Sequence, residues 1–107
     1  MKENIKNIED KTTHTNKCKV CGMGDIKNSY EICPYCGWED DDIQQEEHDY
    51  VVGANVMSFN QYKKFWEENK NEILLNLKSN RFYAIEKSQE YYNKYYKELN
   101  EKIREED

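Results

Sequence analysis

The sequence predicts a small α+β protein: a four-cysteine zinc ribbon with two knuckles and short antiparallel strands, followed by two C-terminal helices, the last long and coiled-coil-like. Three observations predict this fold. All four cysteines stand in two C-x2-C pairs, a capping-box sequence follows an acidic stretch, and an apolar periodicity of three and four residues runs onward from residue 82. With 107 residues, 36% of them apolar and 36% charged, the core must be thin, so a bound metal ion would supply much of the folding free energy.

The cysteine pairs are Cys18 with Cys21 and Cys33 with Cys36, and a glycine follows each pair. A C-x2-C turn brings two thiolates toward one ion, and a glycine at the next position can adopt the positive φ that points backbone N–H groups at the sulfur atoms. Two such pairs complete one tetrahedral sphere. We therefore predict one structural Zn²⁺ held by these cysteines, with iron as the rival ion for an all-thiolate site.

The cellular compartment decides between metal binding and disulfide formation. The first residues contain no apolar signal-peptide region, and no stretch approaches the roughly 18 apolar residues of a membrane span. We therefore expect a cytoplasmic protein without a membrane segment, in which reduced thiols bind metal. A thioredoxin-like redox role is disfavoured because neither cysteine pair stands in a βαβ pattern.

Short strands are expected on both sides of the second cysteine pair. Tyr30 and Ile32 alternate with polar residues and predict a strand that leads into Cys33, and residues 37–39 are its candidate partner. Trp38 is expected to cover the metal site and to supply much of the small core.

The excess negative charge lies in the cysteine-bearing segment. Residues 18–57 contain two lysines and nine acidic residues, a sum of −7, whereas the whole chain carries −6. A surface of this sign repels phosphate backbones and attracts a basic protein. The alternative is a solvated loop whose charges have no partner. The residues proposed to contact a basic partner are Asp40, Asp41, Asp42, Glu46 and Glu47.

A first helix is predicted to begin after Ser58. Ser58 to Gln61 matches the capping box S-x-x-Q, in which the serine accepts from a backbone N–H three residues on and the glutamine reaches back. The apolar positions that follow fit one helical face. They are Tyr62, Phe65, Trp66, Ile73, Leu74 and Leu77.

A second helix of more than twenty residues is predicted from its apolar or neutral positions, which alternate steps of three and four as in a coiled-coil seam. They are Phe82, Ile85, Gln89, Tyr92, Tyr96, Leu99 and Ile103. The seam either folds back on the first helix or pairs with another copy or another protein. Pairing with another copy would make residues 82–103 a homo-oligomer contact. Tyr91, Tyr92 and Tyr95 widen the aromatic surface and are added to the candidate partner-binding residues.

Residues 30–41, with the sequence YEICPYCGWEDD, and the later Gly53-Ala54-Asn55 resemble the bacterial cysteine-rich CPCC family. The resemblance covers about residues 18–66. It implies a small metal-binding domain more firmly than any activity. The first motif of the family is Cys-Pro-Cys-Cys, and here Lys19 and Val20 stand where its proline and middle cysteine would be. The middle cysteine is therefore dispensable for metal binding in this chain.

The chain is accordingly divided into three parts. Residues 1–16 are polar without periodicity and predict a flexible tail, whose His14 we expect to remain unbound because four cysteines fill the coordination sphere. Residues 17–66 form the ribbon domain, with the acidic loop and the start of the first helix. Residues 67–107 form a helical extension.

Three functions are weighed. The favoured one is a zinc-stabilised acidic protein-interaction module, of antitoxin or immunity type, that binds a basic partner. A nucleic-acid-binding zinc ribbon of the transcription-factor type has only Lys63, Lys64 and Lys70 as a footprint, and the acidic ribbon opposes it. A metal-dependent hydrolase would need a second ion bound by His48 with a carboxylate of residues 40–42. Since no nucleophile–base pair is apparent, we expect no enzyme.

Overall fold

The computed structural model describes residues 16–106, in which two strands precede four helices. The strands are β1 (Asn16–Lys17) and β2 (Asp25–Ile26), and the helices are α1 (Asp42–Glu46), α2 (Phe59–Asn76), α3 (Tyr83–Tyr95) and α4 (Lys97–Glu106). The predicted small α+β fold is thus confirmed. The predicted tail lies outside the described residues, His14 included, except for Asn16 in β1. Among residues 16–106 no helix has the length and apolar character needed to cross a membrane.

Two short antiparallel pairings hold the cysteine-bearing segment. β1 pairs with β2, with Asn16 opposite Ile26 and Lys17 opposite Asp25. Ile32 and Glu39 form a separate antiparallel bridge on the two sides of the second cysteine pair. The strand predicted before Cys33 and its predicted partner therefore do pair, over a shorter length than a regular strand.

Helix α1 lies where the sequence predicted only an acidic loop. The carboxylate of Asp41 caps it by accepting from the backbone N–H of Gln44 at 3.1 Å. Gln44 itself is fully buried. A helix of five residues is too short to show an apolar periodicity, which is why the sequence did not reveal it.

The capping box predicted at Ser58 is present and starts α2. The Ser58 hydroxyl accepts from the backbone N–H of Gln61 at 3.1 Å, and the Gln61 side chain accepts from the backbone N–H of Ser58 at 3.0 Å. Most of the predicted apolar face is inside: Tyr62, Phe65, Trp66 and Ile73 are buried, Leu77 is half-buried and Leu74 is exposed.

The predicted long C-terminal helix is in fact two helices. Tyr96, with φ −127° and ψ −11°, separates α3 from α4. The break brings Asn100 back to the start of α2, where its amide group donates to the carbonyl of Val56 at 2.9 Å, just before the helix, and to the side chain of Gln61 in its first turn at 2.7 Å. Asn100 is completely buried. A helix predicted from apolar periodicity alone could not reveal this contact with a distant part of the chain.

The predicted seam is not a continuous buried stripe. Tyr92 is buried, but Phe82, Ile85, Leu99 and Ile103 remain exposed. Helix α3 packs against α2, and α4 packs against α3. The helices therefore fold back within the chain, which is the first of the two alternatives, while pairing with another copy stays a prediction.

Candidate metal centre and acidic segment

The two cysteine pairs lie in turns of the same construction. In the first turn Gly22 donates to the carbonyl of Cys18 at 2.8 Å, and in the second Gly37 donates to the carbonyl of Cys33 at 3.0 Å. Both glycines have positive φ, 74° and 86°, as the sequence predicted. After Gly22, Met23 donates its backbone N–H to Cys21 Sγ at 3.4 Å, and inside the second turn Tyr35 donates its backbone N–H to Cys33 Sγ at 3.4 Å.

The four sulfur atoms form one compact cluster. Cys18 Sγ lies 3.6 Å from Cys36 Sγ, and Cys21 Sγ lies 3.6 Å from Cys33 Sγ. All four ligand atoms lie within 4.8 Å of one another, and none of the cysteines is in a disulfide. A tetrahedron with metal–sulfur bonds of about 2.3 Å has edges of about 3.8 Å. The four predicted ligands therefore fit one ion.

The electrostatics of the cluster favour a cation. Hydrogen bonds from Cys18 and the other sulfur atoms raise the pKa of the Cys36 thiol, and burial acts in the same direction. Hydrogen bonds with the sulfur atoms of Cys18, Cys33 and Cys36, that of Cys18 foremost, lower the pKa of the Cys21 thiol. Four thiols this close cannot all ionise without a cation between them, so binding of a divalent ion would displace their remaining protons.

Helix α2 supports the metal centre from behind. The hydroxyl of Tyr62 donates to the carbonyl of Cys36 at 2.6 Å, and both residues are buried. Trp38 packs edge-on against Tyr62, with ring centroids 5.3 Å apart, and its indole N–H donates to Gln45 at 2.7 Å. Trp38 is thus a core residue, as expected. The role of Tyr62 was missed because its partner lies in another segment, although its apolar helical position marked it as buried.

The acidic segment, residues 39–55, is organised around the side chain of Gln44. Its amide nitrogen lies within 3.1 to 3.3 Å of the carbonyl oxygens of Tyr50, Asn55 and Met57. Its carbonyl oxygen accepts from the backbone and side-chain N–H groups of Asn55 at 3.1 and 2.9 Å. The segment is therefore fixed from within by a buried polar side chain that the sequence placed in a solvated loop.

Asp41 completes this network. One carboxylate oxygen caps α1, and the other accepts from the backbone N–H of Ala54 at 2.9 Å. At Gly53 the backbone lies against the side chain of Gln44, because a Cβ there would be 2.6 Å from Cδ of Gln44. The Gly-Ala-Asn sequence singled out earlier thus serves the packing of this segment.

The candidate partner-binding residues fall into two groups. Asp42, Glu46, Glu47 and Tyr95 are exposed, Asp40 and Tyr91 are half-buried, and Asp41 and Tyr92 are buried. The two buried residues cannot form an outer surface in this structure, so the sequence prediction was wrong to place them there. Partial burial, with the nearby charge of Asp42, raises the pKa of Asp40.

The residues on which the hydrolase and nucleic-acid-binding alternatives depend make other contacts in the structure. The ring of His48 lies 5.0 Å from that of Phe59, and among residues 16–106 the cysteine cluster is the only group of three or more potential metal ligands. The three candidate lysines contact their own helix: Lys63 lies over Phe59, Lys64 is 4.0 Å from Glu68 and Lys70 is 3.2 Å from Glu67.

These observations define a small cysteine-cluster domain with the ligand set of a metal site. The family model for cysteine-rich CPCC proteins matches residues 16–70, just over half of the chain. The chain belongs to the cysteine-rich CPCC family, as the resemblance over residues 18–66 indicated. No curated protein and no solved structure matches it.

Proposed function

We propose that this protein is a zinc-stapled interaction module that binds a basic protein through its acidic segment. Zinc is the ion best suited to the centre, because four thiolates in a closed tetrahedral set are the ligands of structural zinc sites. The buried position of three of the four cysteines agrees with a structural role, since a closed site leaves no position for a substrate.

The observation that carries the proposal is a set of exposed carboxylates on an anchored helix. Asp42, Glu46 and Glu47 lie on or beside α1 and are exposed, and within residues 16–106 none of them pairs with a basic side chain. The helix that presents them is held by Gln44 and Asp41. A charged surface that is already ordered loses little conformational entropy on binding.

A basic partner follows from the sign of this surface. Acidic groups accelerate encounter with a positively charged protein and disfavour nucleic acid as a ligand. An antitoxin or immunity protein that masks the basic active site of a nuclease would use such a surface, since it imitates the phosphate backbone. We place this protein in that group.

The test is capture from a lysate of the native host, using zinc-loaded full-length protein at about 50 and 500 mM salt, on either side of strong charge screening. We expect a basic protein to bind at low salt and to be released at high salt. A triple variant, Asp42→Asn with Glu46→Gln and Glu47→Gln, should lose that protein.

The matched control is Glu101→Gln with Glu105→Gln and Glu106→Gln. It removes the same charge from exposed positions on α4 and should retain the partner. Equal binding by both triple variants, or capture that does not respond to salt, would contradict the proposal. Nuclease activity of the captured partner that is inhibited when this protein is added back would then identify the antitoxin or immunity role.

A further inference from the structure

The hairpin around the second cysteine pair has two outer edges that differ in one respect. Ile32 and Glu39 form its antiparallel bridge, flanked by hydrogen bonds from Asp40 to Glu31 at 3.0 Å and from Cys33 to Trp38 at 2.9 Å. In such a pair the bridge residues exchange no hydrogen bonds with each other, and their own N–H and C=O groups point away from the hairpin.

On the Glu39 edge these groups are covered. The Glu39 N–H donates to the side-chain oxygen of Asn55 at 2.9 Å, and the Glu39 carbonyl accepts from the side-chain amide of Asn55 at 2.8 Å. The amide of Asn55 thus imitates a neighbouring strand and closes this edge. Asn55 is itself held by Gln44, so the closure is fixed.

On the Ile32 edge these groups are open. Among residues 16–106 the backbone N–H and C=O of Ile32 form no hydrogen bond, and its side chain is 49% exposed. An unpaired edge beside an apolar side chain is the template on which an added strand docks.

An apolar cleft of about 310 Å³ lies next to this open edge. It is lined by Ile32, Cys33, Pro34, Gly37, Arg81, Phe82, Ala84 and Ile85. Phe82 and Ile85, which the sequence assigned to a helical seam, are 50% and 40% exposed here. The cleft can receive one large apolar side chain from a strand that pairs with Ile32.

We propose that the Ile32 edge and the adjoining cleft bind an extended segment of a partner protein by strand addition. Ile32 pairs with the backbone of that segment, and the cleft takes one of its apolar side chains. This inference rests on the proposed function, because residues 18–57, which carry this edge, sum to −7 and attract a segment with lysine or arginine beside the apolar residue. Arg81, which lines the far side of the cleft, lies over the ring of Phe82, 4.9 Å from its centroid. A second copy would bring the same net negative charge against this edge and is disfavoured by charge.

The test uses zinc-loaded full-length protein and four fluorescein-labelled peptides. The reference is Lys-Val-Lys-Val-Lys-Val-Lys, and the second peptide replaces each valine by glycine at the same charge. The third is N-methylated on its valine amides and the fourth on its lysine amides. An added strand turns alternate amides toward the protein, so one N-methylated peptide should bind at least about tenfold more weakly while the other binds like the reference.

The glycine peptide should also bind about tenfold or more weakly than the reference peptide, because it leaves the cleft empty. Ile32→Ala should weaken binding of the reference peptide several-fold. Ile43→Ala is the matched control: Ile43 is 57% exposed on α1, and its loss should leave binding unchanged.

Hydrogen exchange provides a second readout on the wild-type protein. Without peptide, the Ile32 amide should exchange near its intrinsic rate and the Glu39 amide slowly; the reference peptide should slow exchange at Ile32. The inference is overturned if Ile32 is already protected in the free protein, if no peptide binds, if both N-methylated peptides lose binding equally, or if the glycine peptide binds as well as the reference. The last result would leave the charge-based proposed function standing.

Discussion

The ribbon half and the helical half of this protein are held together by different forces. In residues 18–57 the cysteine cluster and the buried side chains of Asp41, Gln44 and Asn55 connect turns that have almost no regular secondary structure. In residues 58–106 long helices bury aromatic side chains, such as Phe65 and Trp66, against one another. The difference indicates that a short irregular segment reaches a fixed shape through a cysteine cluster able to bind an ion and through buried polar contacts, whereas helices reach it by burying apolar area.

Removal of the metal should separate the two halves most strongly. Zinc binding of about 10 kcal/mol is comparable to the whole stability of a small domain, so chelation should unfold the ribbon. We expect amide resonances of residues 18–57 to collapse on addition of a chelator, while much of the helical circular dichroism persists, and zinc should restore both.

Cys36→Ser should reproduce the effect of chelation. Metal analysis of the wild type should give one ion per chain; two ions would revive the hydrolase alternative. Retention of a dispersed ribbon spectrum without metal would show that buried side chains alone fix this half.

Replacement of Gln44 should have the next largest effect on stability. Gln44→Leu leaves the side chain of Asn55 and several buried carbonyl groups without partners, which should destabilise the protein by about 3 kcal/mol. The measurement is the free energy of unfolding in urea. Gln89→Leu, the same change at an exposed site on α3, should stay within about 0.5 kcal/mol of the wild type. Equal losses of unfolding free energy in the two variants would show that buried polar contacts are not specific to the first half.

The contact between the halves is tested by Tyr62→Phe. Loss of the hydroxyl leaves the buried carbonyl of Cys36 without this donor and should cost about 1 to 2 kcal/mol. It should also weaken zinc binding about tenfold, as changes behind a metal ligand commonly do, in a competition with a chromogenic chelator. Tyr91→Phe removes a hydroxyl that bonds Glu68 on the outside and should leave zinc affinity unchanged.

Asp40 should give the smallest effect. Its folded-state pKa is raised above the usual 3.8, mainly by partial burial, so the folded protein binds a proton at this carboxyl more readily than the unfolded chain does. Ionised Asp40 therefore opposes folding above its raised pKa, and this penalty disappears as the pH falls below 3.8. Asp40→Asn should stabilise the protein slightly at pH 7, within the roughly 0.5 kcal/mol usual for surface substitutions, because solvent screens most of the penalty.

Thermal unfolding of this variant and the wild type at several pH values above 5 measures the difference while zinc remains bound. A destabilising effect at pH 7 would show that the hydrogen bond between Asp40 and Gln45 outweighs the burial penalty. Repeating Asp40→Asn in an Asp42→Asn background removes the charge repulsion that also raises this pKa, so the effect that remains isolates the contribution of burial.

Features encoded within a few residues were predictable from the sequence. The C-x2-C-Gly turns and the Ser58–Gln61 capping box depend on backbone geometry over three to five positions, and both appear as expected. The position of Trp38 in the core followed from its size and its place beside a cysteine.

Features that depend on distant partners were not predictable. Gln44 looked like one polar residue among many, and Asn100 occupied no seam position, yet both are completely buried and bonded to residues 11 to 44 positions away. The break at Tyr96, and the exposure of Phe82 and Ile85, follow from where α3 and α4 dock.

By itself, the sequence determined the two cysteine turns, the acidic character of residues 18–57 and the start of α2, because each is set by residue type and local spacing. Only the tertiary structure decided which acidic residues face solvent, where the last helix divides and which hairpin edge stays open. The physical reason is that the segments packed around a polar side chain set its burial and its hydrogen-bond partners. These segments are distant in the chain, so the residues next to it in the sequence do not reveal them.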